Sequence, residues 1–239
     1  MRLTLIPLRL TRYSDSQNIL SAYSRQLGRV SLTVSAGRGR GAARIKALTM
    51  PLSVIECEVQ PRPGRELMPM SQVRPVMVLQ HVHSNPVKQM LAMFLAEVLA
   101  VILEDGGADV GLFDYVTESV RILDGLPGRR AGNFHICFLL HLGRHLGIEP
   151  DISTYSEGWL LDVAEGIWRR TLPLHGMVLD VAESAHAARL MRMTYGNMHA
   201  FRYTREQRAR VLDGVMDYYS RHVMPLRHIR SLEVLRAMS

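Results

Sequence analysis

Two cysteines among 239 residues are too few for a disulfide framework. Cys57 and Cys137 lie far apart within apolar runs, which predicts buried, reduced thiols. Long apolar runs are also scarce. The longest, Met90–Leu103, spans 14 residues and is broken by Glu97, short of the ~20 that a bilayer-crossing helix needs, so it reads as a buried helix. The glycines nowhere form G-x-x-x-x-G-K-[ST], which disfavours an ATPase. The 22 acidic residues are scattered, no nucleophile has an evident base, and no pair of carboxylates marks a site, so the chain does not read as an enzyme. Between Arg2 and Arg9 stand only six residues, without a small-residue cleavage site after them. A secretory signal is therefore not expected, and the protein is placed in the cytoplasm. Lysine is nearly absent, since Lys46 and Lys88 are the only two. The cations are otherwise Arg, whose planar fork suits phosphate oxygens and base stacking.

What is present is an uneven charge. Residues 1–80 carry 12 Lys/Arg against 4 Asp/Glu, and the remaining 159 carry 17 against 18, so the whole basic excess is N-terminal. Such a division points to a basic module for a polyanion joined to a near-neutral module with another task. The charge is densest in Ser35–Met50, where Arg38, Arg40, Arg44 and Lys46 fall within nine residues without an acid, among Gly37, Gly39 and Gly41. This stretch reads as a mobile loop whose backbone can approach a phosphate closely, or as a solvated connection between strands.

Around it, Leu3–Leu10, Asn18–Tyr23, Arg29–Val34, Ser53–Gln60 and Glu66–Pro75 show strand patterns separated by turn residues, with Pro61-Arg-Pro-Gly64 forcing one of the turns. Five short strands and no crossover helix predict a small closed barrel of OB type, an SH3-like barrel being the alternative. From His81 the apolar period changes to that of a helix. Asn85 or Ser84 with Pro86 opens a helix that ends at Gly106-Gly107, and others are expected at about Leu112–Leu123, Phe134–Leu146, Glu183–Met193, Thr204–Val223 and Ser231–Met238. Thr204-Arg-Glu-Gln207 has the capping-box pattern, and Trp159–Arg170 reads as a β-hairpin. The fold class is α+β: an OB-type nucleic-acid-binding domain over 1–80, then a helical domain over 81–239 with a small hairpin insertion.

His141, His145 and Glu149 have i, i+4, i+8 spacing, legal for zinc, but Gly147 should end the helix first and no further ligand is indicated. No metal and no cofactor are expected. First choice for phosphate contacts falls on Arg38, Arg40, Arg44 and Lys46, then Arg12, Arg29, Arg62 and Arg65. Tyr13 is either a stacking residue for a base or a barrel-edge packing residue.

The order of several short motifs resembles the bacterial RecO family of recombination mediators. These are the basic stretch leading through Lys46-Ala-Leu-Thr-Met-Pro51 into a strand with Glu56 and Glu58, Arg62-Pro-Gly-Arg-Glu-Leu67, Phe94-Leu-Ala-Glu97, Leu112-Phe-Asp-Tyr115, Asn133-Phe-His, Leu146-Gly-Ile-Glu-Pro150, Asn197-Met-His-Ala-Phe-Arg202 and Ser231-Leu-Glu-Val-Leu-Arg236. The chain is most similar to the form found in Bacteroidetes-type bacteria. The resemblance implies a non-catalytic, nucleoid-associated protein that binds single- and double-stranded DNA, anneals complementary strands and helps to load RecA on DNA coated by single-strand-binding protein, together with RecR. It also implies a receptor for the acidic, Phe-terminated tail of the single-strand-binding protein. Arg129, Arg130 and Arg144 beside Phe138 and Leu142 offer the cations and apolar groups for it. Many family members carry a four-cysteine zinc module after the L-G-x-x-P segment, whereas Asp151–Leu179 here has no cysteine. Two other readings remain open: a scaffold whose basic barrel binds acidic protein tails with DNA contact incidental, and a hydrolase using His141 and His145.

Overall fold

The computed structural model describes residues 1–37, 39–61, 67–226 and 229–238. They form two compact units, one holding Met1–Gly128 with the last helix, the other the residues from Arg129 to the segment before that helix.

The first unit opens with β1 (Arg2–Arg12), β2 (Gln17–Ser24), β3 (Gly28–Ser35), α1 (Arg40–Leu48), β4 (Ile55–Val59) and β5 (Leu67–Pro75). The strands close into a barrel in the order β1-β2-β3-β5-β4, with β4 returning to β1. Only the β3–β5 pairing is parallel. That order, with a helix between β3 and β4, is the OB arrangement, and it excludes the SH3-like alternative. The alternating residues Leu3, Leu5, Leu20, Ala22, Val30, Leu32, Val34, Ile55, Cys57 and Val59 fill the interior. A register shift between Pro7 and Arg9 sets Arg9 opposite Ser21.

Later in the chain come α2 (Pro86–Ile102), α3 (Val110–Gly125), α4 (Phe134–His145), the hairpin β6 (Leu160–Asp162) and β7 (Ile167–Arg169), α5 (Val181–Leu190), α6 (Arg205–His222) and α7 (Ser231–Met238). In the first unit α2 packs on β1 and α7 packs on α2. Glu97, the one acid in the apolar run of α2, accepts the Ser231 backbone N–H at 3.0 Å and its hydroxyl at 2.8 Å, so the charge serves as the seat for α7. Asn85 caps α2 by accepting from the N–H groups of Val87 and Lys88, with Pro86 as first helical residue.

The turn between β2 and β3 is pressed against the α2–α3 connection. Gly28 has φ +72°, and a Cβ there would lie 2.3 Å from the Gly107 carbonyl carbon, so both conformation and space require glycine. Beside it the Tyr23 hydroxyl donates to the Gly107 carbonyl at 3.2 Å and accepts the Asp109 N–H at 3.1 Å. The segment before α2 is held by Asp124, whose carboxylate accepts the backbone N–H groups of Gln80, His81 and Val82 at 3.0, 2.7 and 2.8 Å. The buried Lys88 ammonium donates to the Asp124 carbonyl at 2.6 Å. Burial raises the Asp124 carboxyl, but the three backbone donors and Lys88 outweigh it and leave its pKa below the ordinary carboxylate value.

In the second unit α4 is almost wholly core, with Phe134, Ile136, Cys137, Phe138, Leu139 and Leu142 buried. Its entry is pinned by Asn133, which donates to the carbonyls of Met198 and Phe201 at 2.9 and 2.7 Å and accepts from Arg208 Nε at 3.0 Å. The Thr204–Gln207 capping box opens α6 as the motif predicts. A second capping box, Asp180–Glu183, starts α5 two residues ahead of the expected Glu183. The hairpin rests on a small cluster of Leu161, Trp168 and Ala188. Both cysteines are buried, and burial pushes the Cys57 thiol up to about 11 and the Cys137 thiol up to about 12.

Candidate nucleic-acid interface

The basic stretch is not a loop. From Arg40 it is a nine-residue helix, because Arg, Ala, Lys and Leu carry good helix propensity and Gly39, with φ +115°, supplies the sharp entry that a Cβ would oppose. Ile45 and Leu48 of α1 pack against the barrel core, which leaves the cations outside. At 100° per residue Arg40 and Arg44 stand one turn apart on the same flank, and Lys46 projects from the opposite one. All three are exposed, and among the described residues none has an ion-pair partner. The first turn of α1 has neither an acidic residue nor a side-chain cap, so its N–H groups and the positive end of its dipole face outward.

The antiparallel register brings the β1–β2 turn to the same end of the barrel, where the Ala36 N–H donates to the Ser16 carbonyl at 2.8 Å. Tyr13 stands at this turn, 64% exposed, clear of the barrel wall. Arg12 beside it is ion-paired with Asp15. Arg29 begins β3 at the other end of the same outer face and is half-buried. Arg38, Arg62 and Arg65 lie outside the described residues. The barrel also has cations that are already engaged: Glu56 takes Arg74 through Nε at 2.6 Å and holds Arg2 at 3.6 Å. Arg9, between Leu8 and Leu10 in β1, is a further exposed cation of the barrel's outer face.

In the second unit Phe138 and Leu142 are fully buried, and Arg144 is paired bidentately with Glu149 at 2.8 and 2.7 Å. Arg129 and Arg130 are exposed in the short turn before α4. The surface there holds instead an apolar groove of about 680 Å³ whose walls include Leu139, Ile148, Leu190 and Val211, with Arg210 and Arg221 also lining it. His141 Nε2 lies 2.8 Å from the Met193 carbonyl and the ring stacks on Tyr195, while Glu149 serves Arg144. Among the described residues no group of three or more His, Cys, Asp or Glu could hold a metal ion. A four-thiolate zinc module does not fit Asp151–Leu179, which offers no thiolate; Asp162 at its centre is taken by Arg169 and His175. Among the described residues no helix is long and apolar enough to cross a membrane.

Two family models, described as Recombination protein O N terminal and Recombination protein O C terminal, match residues 2–78 and 83–232. The chain belongs to the RecO family. Curated relatives named DNA repair protein RecO include that of Phocaeicola vulgatus, 36% identical over 233 residues, which covers 98% of this chain and 96% of the relative. The Porphyromonas gingivalis protein is 33% identical over 238 residues, with 98% and 96% covered. That of Flavobacterium johnsoniae is 24% identical over 226 residues, with 94% and 93% covered. RecO membership thus spans the barrel and the helical region alike.

Proposed function

We propose that this protein is a DNA repair and recombination mediator whose barrel binds nucleic acid through the phosphate backbone. The observation that carries the reading is α1: three exposed cations without acidic partners among the described residues, set beside the β1–β2 turn on a barrel type whose β2–β3 face and flanking loops receive oligonucleotides. Neutralising phosphates on two strands lowers their mutual repulsion, which is the physical basis for annealing. To this role we add assistance to RecA loading on DNA coated by single-strand-binding protein, in company with RecR, as the resemblance implies. The helical unit is then the receptor for the acidic tail of the single-strand-binding protein. The apolar groove with Arg210 and Arg221 supports that role better than Phe138 and Leu142, which are covered. Nothing in the reading requires a catalytic group.

The test is a salt titration of binding to single-stranded DNA. With Arg40, Arg44 and Lys46 all changed to Ala, the slope of log K against log salt should flatten by about 2, at ~0.7 per phosphate contact, while the melting temperature stays unchanged. An unaltered slope would remove α1 from the interface and favour a scaffold that binds acidic protein tails.

A further inference from the structure

We propose that the outer face of β1–β3 contains a seat for a single backbone phosphate, formed by Arg9, Ser21 and Arg29. The inference rests on the nucleic-acid reading above and adds to it a site away from α1.

The strand register places these residues together. Arg9 pairs with Ser21, Ser21 pairs with Ser31, and Arg29 is two residues from Ser31, opposite Tyr23. Paired residues share a face, and diagonal neighbours across a ladder stand about 7–8 Å apart, within reach of an arginine. The opposite face at these positions is the barrel core, since Leu20, Ala22, Val30 and Leu32 are buried there.

Two polar groups on this face lack partners. The Ser21 hydroxyl and Arg29 Nη1 are both buried, and neither makes a hydrogen bond among the described residues. Buried donors are nearly always satisfied, and two orphans on adjacent strands are best explained by an acceptor that arrives from outside. The charges agree. Burial pulls the Arg29 guanidinium pKa down, the nearby Glu104 offsets part of this, and Arg9 lowers it further by repulsion. Glu104 forms no ion pair with Arg29 among the described residues, and β1, β2 and β3 contain no Asp or Glu at all. Two cations are thus within Coulomb range beside an unsatisfied hydroxyl, on strands that carry no carboxylate of their own, with Glu104 as the nearby acid. The non-bridging oxygens of a phosphate match this set: one fork from each arginine and a hydroxyl donor. An extended nucleic-acid strand can present such a group at the edge of this face where Arg9 is exposed, while neighbouring phosphates reach other cations.

Three variants of the full chain test the seat, each measured for single-stranded oligonucleotide affinity, salt slope and melting temperature. Arg9→Gln should weaken binding about 3- to 10-fold and flatten the slope by about 0.7. Ser21→Ala should weaken binding with the slope kept and the melting temperature unchanged or raised, because an orphaned hydroxyl contributes nothing to the fold. Arg29→Lys, which keeps charge but loses the fork, should weaken binding as Ser21→Ala does. If Arg9→Gln leaves affinity and slope unaltered while the α1 variant flattens the slope, the seat is wrong and the α1 interface stands. If Arg9→Gln lowers the slope and the α1 variant does not, the seat stands without α1. Inorganic phosphate and an acidic peptide serve as the other arms. Millimolar phosphate should compete weakly and equally with wild type and the α1 variant. A peptide whose affinity falls in Arg9→Gln more than that of the oligonucleotide would overturn the nucleic-acid occupant.

Discussion

Arg169 brings its Nε within 3.0 Å of the fully buried carboxylate of Asp162, seven residues earlier across the hairpin. The pair meets off the N–H axis, so it is an ionic contact more than a directed hydrogen bond. The other oxygen of Asp162 accepts the N–H groups of Ala164 and Glu165 at 3.0 and 3.2 Å, and His175 Nε2 approaches the oxygen that faces Arg169 at 3.2 Å. One carboxylate therefore gathers the turn and the two strands of this hairpin segment.

Asp162→Asn should cost roughly 2–3 kcal/mol, less than the loss of a fully buried pair because Arg169 is partly solvated. Purified wild-type protein should contain no stoichiometric zinc, and a chelator should leave its melting temperature unchanged. One zinc per chain by elemental analysis would contradict this account of the hairpin.

Gly28→Ala should destabilise the first unit by about 3 kcal/mol, from the positive φ and the overlap with Gly107 together. Gly39→Ala shares the positive φ but meets no atom within 4 Å, so its cost should be smaller. Denaturant midpoints of the two variants give the comparison.

His135 is fully buried beside Arg208, and burial first, then that cation, lowers its pKa to about 3. The folded chain therefore holds this imidazole neutral while the unfolded chain protonates it below about 6.5. Its contribution to stability is complete above that pH and declines as pH falls towards the folded value. Asp124, also depressed, adds its own loss at lower pH, as the acid range is entered. The denaturant midpoint should fall between pH 7 and pH 5, and His135→Gln should flatten that dependence whatever its absolute stability.

Arg210→Glu and Arg221→Glu should each weaken binding of an acidic, Phe-terminated peptide by about tenfold, roughly 1.4 kcal/mol, and leave oligonucleotide affinity intact. Loss of peptide binding only in Arg129→Glu or Arg130→Glu would move the receptor to the turn before α4. Equal loss of DNA binding would end the proposed division of tasks.

Strands and helices were largely legible because each has one clear period: Leu3, Leu5, Leu20 and Leu32 alternate, and Met90, Leu91, Phe94, Leu95 and Val98 recur by turns of a helix. The helix α1 was hidden by Gly41 within it and by Gly37 and Gly39 before it, which suggest a loop, and its apolar contribution is only Ile45 and Leu48 at a spacing of three. The site was legible as composition but not as geometry. Charge density marks Arg40, Arg44 and Lys46, whereas Arg74 and Arg2 are engaged by Glu56 through pairing of distant strands that no local pattern reveals. Likewise Phe138 and Leu142 look like pocket residues until the neighbours of α4 cover them.

The burial of Cys57 and Cys137 bears on the chemical conditions under which a repair protein has to work. Oxidants attack the thiolate, and two thiols that titrate at about 11 and 12 are almost entirely protonated near neutral pH. Neither can be reached without opening the barrel or the helical core. Peroxide should therefore leave both thiols unmodified in the folded chain, a result that mass spectrometry of the treated protein can read.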